Sequence, residues 1–305
     1  MIVYTFIVTF RMARSQLWVR LCTDYDFMTD IREHHAGFSV LNQLHSLQSE
    51  IPPVTGLAKI FGRSPLNDET LPWYVGLKGE LLVGAELDTL KKDGYTVLHS
   101  VPIGVKGSDI DHIVITPLGM IYTINTKHHA GKKIWVGGNV LVNGTKTDYV
   151  RNSIFEAERV EKLFQKAGQN RVVKPILVFV GAENLDVKDN AKIAAASTYK
   201  VVALIKKSEA ARAKANFKRD TLLLEEFYSA DFWSAGHIDE LASQEDKEAW
   251  FRSFQKQVST QRQKRTFIKL VFAAGIFIAA LQSVPFFIDF FMNGVLGDLS
   301  KPLTP

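Results

Sequence analysis

Two runs of period 2, Asp109 to Thr116 and Met120 to Lys127, separated only by Pro117-Leu118-Gly119, constrain this chain more than any other feature. A repeat of two sends successive side chains to opposite faces of a strand, and a gap so short, with Pro and Gly in it, turns the chain back on itself. The expectation is an antiparallel pair. Alternation then puts Asp109, Asp111, Ile113 and Ile115 on one face of the first strand, and Ile121, Thr123, Asn125 and Lys127 on one face of the second. Carboxylate, amide and ammonium can therefore converge. Oxygen donors of this kind suit a hard divalent cation, and a neighbouring ammonium can steady a phosphate or orient a water. An Asp and a Lys on adjacent strands also form half-buried ion pairs, and the pattern alone leaves both readings open.

The flanks supply the rest of a fold. After Pro72, Leu77, Leu81, Leu87 and Leu90 mark a helical stripe over Trp73 to Lys91, stopped by Gly94. Glu80 and Gly84 lie one turn apart on that helix, so the missing side chain at Gly84 lets it approach a sheet and aim Glu80 at Asp111. A solvated glutamate is the plainer alternative. Tyr95 to Ile103 has the character of a strand. Beyond Lys127, Ile134 to Val136 and Val140 to Val142 form a hairpin around Gly137-Gly138-Asn139, with Lys132, Lys133 and Trp135 able to touch a nucleic-acid backbone and stack a base, or simply to decorate a solvated hairpin. Tyr149 to Gln165 is a second helix with Asn152, Glu156 and Arg159 along one stripe; Arg159 either holds a phosphate or pairs with Glu156. Val172 to Val180 and Tyr199 to Ile205 are apolar runs suited to buried strands. Alternating helices and strands point to an α/β core with a mixed sheet.

Four ordered words within this region carry a resemblance: GE-x3-G (Gly79, Glu80, Gly84), GSDIDHIVI (Gly107 to Ile115), I-N-T-K (Ile124 to Lys127) and YVRNS-x2-EA-x-R (Tyr149 to Arg159). Together they resemble the nuclease-related domain family, NERD, of the PD-(D/E)XK nuclease superfamily, over about Gly76 to Val180. The resemblance implies a PD-(D/E)XK-like mixed β-sheet flanked by helices. It makes Glu80 the acid of the first helix, Asp111 the metal-binding aspartate and Lys127 the lysine of the E-x-K strand, with Mg²⁺ or Mn²⁺ as cofactor. Asn125 departs from the pattern, which prefers an acid there. An amide oxygen can still face a cation, as can the main-chain oxygen of Thr126, but one negative charge is missing and affinity for the ion should fall.

The remaining chain bears on location. Leu270 to Ile288, LVFAAGIFIAALQSVPFFI, carries no charge over 19 residues, and at ~1.5 Å per residue it approaches the ~30 Å of a bilayer's hydrocarbon core. Arg262, Lys264, Arg265 and Lys269 precede this run and only Lys301 follows it, so the main domain is expected on the cytoplasmic side. A buried globular helix is the alternative. Residues 1 to 22 open with an apolar run followed by Arg11, Arg14 and Arg20, the reverse of a secretory signal, and Met28 is an alternative start. Cys22 is the single cysteine, which rules out an internal disulfide framework. Lys and Arg number 37 against 32 for Asp and Glu, and this mild excess suits phosphate or anionic lipid without selecting either. His99, His112, His128 and His129 match no zinc spacing, and His112 points away from the Asp111 face.

The expected organisation is an irregular lead-in (1–72), a nuclease-like α/β domain (73–205), a helical extension (206–265), a transmembrane helix (266–289) and a short tail (290–305). The expected function is Mg²⁺-dependent phosphodiester hydrolysis of DNA or RNA by a membrane-anchored protein. The alternatives are a nucleic-acid-binding module that has lost its chemistry and a membrane scaffold with the same fold.

Overall fold

Period-2 patterning produces the expected antiparallel pair: β2 (Asp109–Ile115) runs against β3 (Ile121–His128), with Ile115 opposite Ile121 and His112 opposite Ile124. The computed structural model describes residues 31–103, 108–214, 225–228, 230–233 and 244–291, so the readings of residues 1 to 22, of Cys22 and of Met28 lie outside it. β1 (Thr96–Pro102) pairs antiparallel with the other edge of β2, and β7 (Val173–Val180) lies parallel to β3. A parallel neighbour demands a crossover. The helix α4 (Tyr149–Lys166) belongs to that crossover, together with β4 (Lys133–Val136), β5 (Val140–Val142) and β6 (Thr145–Thr147). β8 (Asn184–Val187) joins those three in a mixed sheet of order β6-β5-β4-β8, and β9 (Ala194–Ser197) completes the main sheet, β1-β2-β3-β7-β9. The chain is thus mixed α/β, with two mixed sheets flanked by helices.

The two faces of the main sheet have different owners. Helices α3 (Thr70–Asp88) and α5 (Val201–Lys214) cover one, where Val83 and Leu87 meet Val114, Ile124 and Val178. α4 covers the other, where Val160 and Phe164 meet Ile113, Ile115 and Ile121. Trp233, in the short helix α6 (Ala230–Trp233), closes this second core and donates its indole N–H to the Phe227 carbonyl at 2.8 Å.

Three local readings are corrected. Tyr199 to Ile205 is not a strand: a 3₁₀ turn over Thr198–Lys200 leads into α5, and Val201 and Ile205, both fully buried one turn apart, anchor it as a helix. A short apolar run fits either period, and here the helical spacing of its two deepest residues decides. The stretch expected to be irregular holds α1 (Phe38–Ser49), whose Phe38, Leu41 and Leu44 are buried, and the short α2 (Gly56–Ile60). The helix expected from Trp73 begins at Thr70, because Pro72 is tolerated in a first turn that needs no intrahelical N–H there.

Two compact units divide the described residues, one holding those up to 47 and from 69 to 247, the other 48 to 68 and those from 248 onward. Within the second, α7 (Gln244–Asp289) continues without interruption through the apolar run, with Pro285 inside it. Gly62, at a φ of +72°, lies against this helix so closely that a side chain there would strike the backbone at Gln261 and Arg265. α7 is long and apolar enough to cross a membrane, and none of its apolar window is buried.

Candidate active site at the parting of two strands

The ladder between β2 and β3 stops at His112 and Ile124, although β2 continues beside β1 to Asp109 and β3 continues beside β7 to His128. The segments Asp109 to Asp111 and Asn125 to Lys127 therefore part while each keeps its outer neighbour. A backbone N–H that loses its strand partner must find another acceptor. Thr126 donates its amide hydrogen to the Oδ2 of Asp111, so the aspartate takes the place of the missing rung and is fixed in the opening.

Helices reach this opening from both faces of the sheet. From α3 comes Glu80, 6 % exposed, with no hydrogen-bond partner for Oε2. The helix packs close to the sheet beside it: a Cβ at Gly79 would sit in ordinary contact, 3.4 Å from both the Cβ of His128 and the Cγ2 of Thr126. Burial holds the Glu80 carboxyl well above its ordinary range, Asp111 and Asp109 add to the rise, and Lys127 opposes it. Asp111 is likewise raised by burial, against Lys127 and the Thr126 N–H. Asp109, raised to about 6 by burial and by Asp111, has a buried Oδ2 without a partner. The three predicted charged groups do meet electrostatically. The Lys127 ammonium stands 5.4 Å from the centre of the Tyr149 ring and acts on Glu80, Asp111 and, from α4, Glu156.

Glu156 meets Asn125 at the opening, a contact the sequence reading does not foresee when it offers Glu156 only as one of two possible partners of Arg159. Asn125 donates from Nδ2 to both carboxylate oxygens of Glu156, at 2.9 Å each. Burial raises the Glu156 carboxyl, the Asn125 bond lowers it, and Asp111 raises it again. The signal available in the sequence was indirect: a neutral residue in a strand position that prefers an acid invites a search for an acid on the helix packed over it. Arg159 instead donates to the Ile103 carbonyl at 2.6 Å and reaches Ser108 Oγ at 3.5 Å.

The other predicted contacts lie apart from the acids, on the small sheet. Lys132 and Lys133 are exposed, the latter 4.0 Å from Glu183. Trp135 folds over Gly137 and, with Lys133, Leu141, Asn184 and Asp186, lines an open depression of about 310 Å³. Behind the site, on the α3 face, His99 Nδ1 meets His112 Nδ1 at 2.9 Å, His99 Nε2 meets Asp88 at 3.0 Å, and His112 Nε2 meets Thr126 Oγ1 at 3.4 Å.

Among the described residues, no three His, Cys, Asp or Glu side chains stand together as a ready metal site. The opening nevertheless fits a hard cation by a different criterion. Glu80 Oε2, Asp109 Oδ2 and Asn125 Oδ1 are buried oxygens without a donor, and desolvated carboxylates outnumber the single lysine that acts on them. Buried acceptors left in this way are stabilised by positive charge, and oxygen-only donors select a hard ion.

Residues 75–180 match the family model of the nuclease-related domain, NERD. Comparison with the curated proteins and with the solved structures gave no match.

Proposed function

We propose that this chain, with a nuclease-related domain between residues 75 and 180, hydrolyses phosphodiester bonds of DNA or RNA in a Mg²⁺- or Mn²⁺-dependent reaction while anchored to a membrane by its C-terminal helix. The observation that carries this reading is the parting of β2 from β3, which leaves Asp111 fixed by the Thr126 amide among Glu80, Asn125 and Lys127. Glu80, Asp111, the Asn125 side-chain oxygen and the Thr126 main-chain oxygen would hold the ion. When bound, a divalent ion supplies Lewis-acid charge to a phosphoryl oxygen.

The chain's own groups do the rest. Lys127 orients the attacking water or donates to a phosphate oxygen as negative charge develops there, a task suited to a preorganised ammonium in a partly buried opening. Asp111 keeps its aim because a backbone N–H holds it. Raised carboxyls hold their protons to higher pH than free ones, so protons compete with the ion and its binding should strengthen with pH. Lys132, Lys133, Trp135 and Arg159 are proposed to contact the nucleic-acid backbone and bases at the rim. The basic residues ahead of the apolar run, Arg262, Lys264, Arg265 and Lys269, support a cytoplasmic position for the domain.

The test is incubation of the full chain in detergent with DNA and RNA substrates, with and without Mg²⁺ or Mn²⁺. Asp111→Ala and Lys127→Ala should each abolish metal-dependent cleavage, and unaltered cleavage in either removes the assignment. The neutral Asn125 favours one second reading, a binding module without chemistry. That reading predicts salt-sensitive binding of nucleic acid and no cleavage at any metal concentration.

A further inference from the structure

We propose that Leu57, Ile60 and Phe61 of α2 form an apolar foot that lies in the headgroup region of an anionic lipid bilayer, beside the place where α7 enters it. The proposal rests on the membrane-anchored reading above and gives that anchor a second contact with lipid.

α2 is little more than one turn, closed by the Phe61 N–H donating to the Leu57 carbonyl at 2.9 Å and continued by the Arg63 N–H donating to the Ala58 carbonyl at 2.9 Å. Leu57, Ile60 and Phe61 stand at i, i+3 and i+4, so they share one face of that turn. In a helix that packs on a core, such a stripe points inward. Here it points outward: Leu57 is 71 % exposed, Ile60 62 % and Phe61 55 %, while the next residue, Gly62, is buried. Large apolar side chains grouped in this way call for a cover other than water.

The position of the patch identifies that cover. Residues 48–68 and α7 from residue 248 onward belong to one compact unit, and within it Gly62 docks on α7, where a Cβ would come within 2.6 Å of the Arg265 nitrogen and 2.7 Å of the Gln261 carbonyl oxygen. Arg265 precedes Leu270, where the uncharged run begins, by only ~7.5 Å at ~1.5 Å per residue. The foot is therefore joined to α7 at the collar of the span, at the depth of lipid headgroups. Charge agrees with this placement. Residues 51–67 and 249–288 contain no Asp or Glu, whereas Lys59 and Arg63 beside the foot, and Arg262, Lys264, Arg265 and Lys269 on α7, are all exposed cations. A suitable cover must offer apolar matter and dense negative charge within a few ångströms of each other. The surface of an anionic leaflet does so, with acyl chains directly beneath phosphates, and the long stems of Lys and Arg reach the phosphates while their apolar neighbours sink. The cytoplasmic leaflet is the anionic one, which matches the side on which the proposed function puts the domain.

The experiment uses the full chain with Cys22→Ser and one new cysteine carrying an environment-sensitive fluorophore, reconstituted in vesicles of phosphatidylcholine and phosphatidylserine that contain spin-labelled lipid as quencher. With the spin label near the headgroups, Phe61→Cys should lose emission about 2-fold or more, as expected for a side chain at the headgroup boundary. Gln257→Cys, exposed on α7 and ~20 Å before Leu270 at ~1.5 Å per residue, should keep its emission. Ile276→Cys, with the spin label deep in the acyl chains, reports the span itself. Quenching at Ile276→Cys without quenching at Phe61→Cys would overturn the foot and leave the anchor standing, and a blue-shifted but unquenched Phe61→Cys would show that protein covers the patch instead. No quenching at Ile276→Cys would overturn both. In vesicles of phosphatidylcholine alone, quenching at Phe61→Cys should decline while that at Ile276→Cys stays; equal quenching at Phe61→Cys in the two lipids would overturn the anionic requirement. Should Phe61→Cys not fold, Leu57→Cys carries the same readout and the same outcomes.

Discussion

His99 and His112 face each other Nδ1 to Nδ1 at 2.9 Å beneath α3, and only one of these nitrogens can carry the hydrogen they share. Asp88 accepts from His99 Nε2, which, with both rings neutral, leaves His99 Nδ1 as the acceptor and His112 Nδ1 as the donor. His112 Nε2 is then an acceptor for the Thr126 hydroxyl. One directed chain thus runs from the rim of α3 to the residue whose amide fixes Asp111.

That chain predicts a loss of stability in acid. Burial, and then the His99 ring, push His112 well below its ordinary value, with Asp88 pulling the other way. An unfolded imidazole takes its proton near pH ~6.5 and the folded one does not, so the contribution is present above that pH and is lost as pH falls below it. Asp88, lowered to about 2, acts only in stronger acid. His128 and His129 lean the same way as His112, so the informative measurement is a difference. Urea midpoints between pH 8 and 5 should fall less steeply in His112→Gln than in the unaltered chain. At pH 8 the same variant should be less stable by about 1–3 kcal/mol, from polar groups left unpaired. Equal slopes would show that His112 does not titrate as described.

Gly84 predicts a second loss of stability. A Cβ there would overlap that of Ala36 and come within 3.4 Å of His99 and 3.5 Å of His112. Gly84→Ala should therefore lower the melting temperature, the steric cost of about 1–3 kcal/mol exceeding the ~1 kcal/mol gained in helix propensity. Gly79→Ala, whose nearest contacts begin at 3.4 Å, should change stability by less than about 1 kcal/mol. The comparison separates the two glycines of the same sequence word: the first allows contact, the second allows no side chain at all.

Sequence periodicity exposed the parts of the fold that repeat over many residues. The alternation in β2 and β3 put Asp111 and Lys127 on one face, the face that their neighbours Ile113, Ile115 and Ile121 bury. β9 escaped because Ala194, Ala195 and Ala196 have little strand preference of their own and acquire it from β7 alongside. α5 was hidden by Val201 and Val202, whose β-branched side chains favour a strand until tertiary burial selects the helical spacing. Glu156 could not be assigned for a different reason. Its partner Asn125 is 31 positions away, and nothing in helix periodicity states which strand residue a helix will face.

Lys127 supports a prediction in which pH and metal act together. It is the cation that lowers the carboxyls of Glu80, Asp111 and Glu156, so Lys127→Met should leave all three still more reluctant to ionise. Protons then compete harder with the ion, and the pH at which Mn²⁺ binding reaches half its limit should move upward. If the proposed reaction holds, cleavage should nevertheless fall by about 100-fold or more at every pH, because Lys127 is the proposed donor for the developing phosphate charge. An unchanged pH midpoint would separate Lys127 from the acids.

The apolar end of α7 supports the last prediction. Ile276 is 71 % exposed and Leu281 56 %, on a helix none of whose apolar window is buried among the described residues. Water is a poor neighbour for such a surface, and a bilayer or another protein must cover it. The two covers differ in their response to charge. A lysine near the centre of a spanning helix costs about 2.5–3.5 kcal/mol at insertion, so Ile276→Lys with Leu281→Lys should cost about 5–7 kcal/mol and shift the chain from the carbonate-resistant membrane pellet to the supernatant. Were a protein partner the cover, the unaltered chain would be extracted by carbonate. The double lysine variant would then change its oligomeric state, measured by light scattering, without any change of fraction. Fractionation of the two chains side by side distinguishes these outcomes, because a span holds its place through the lipid it displaces and a protein contact does not.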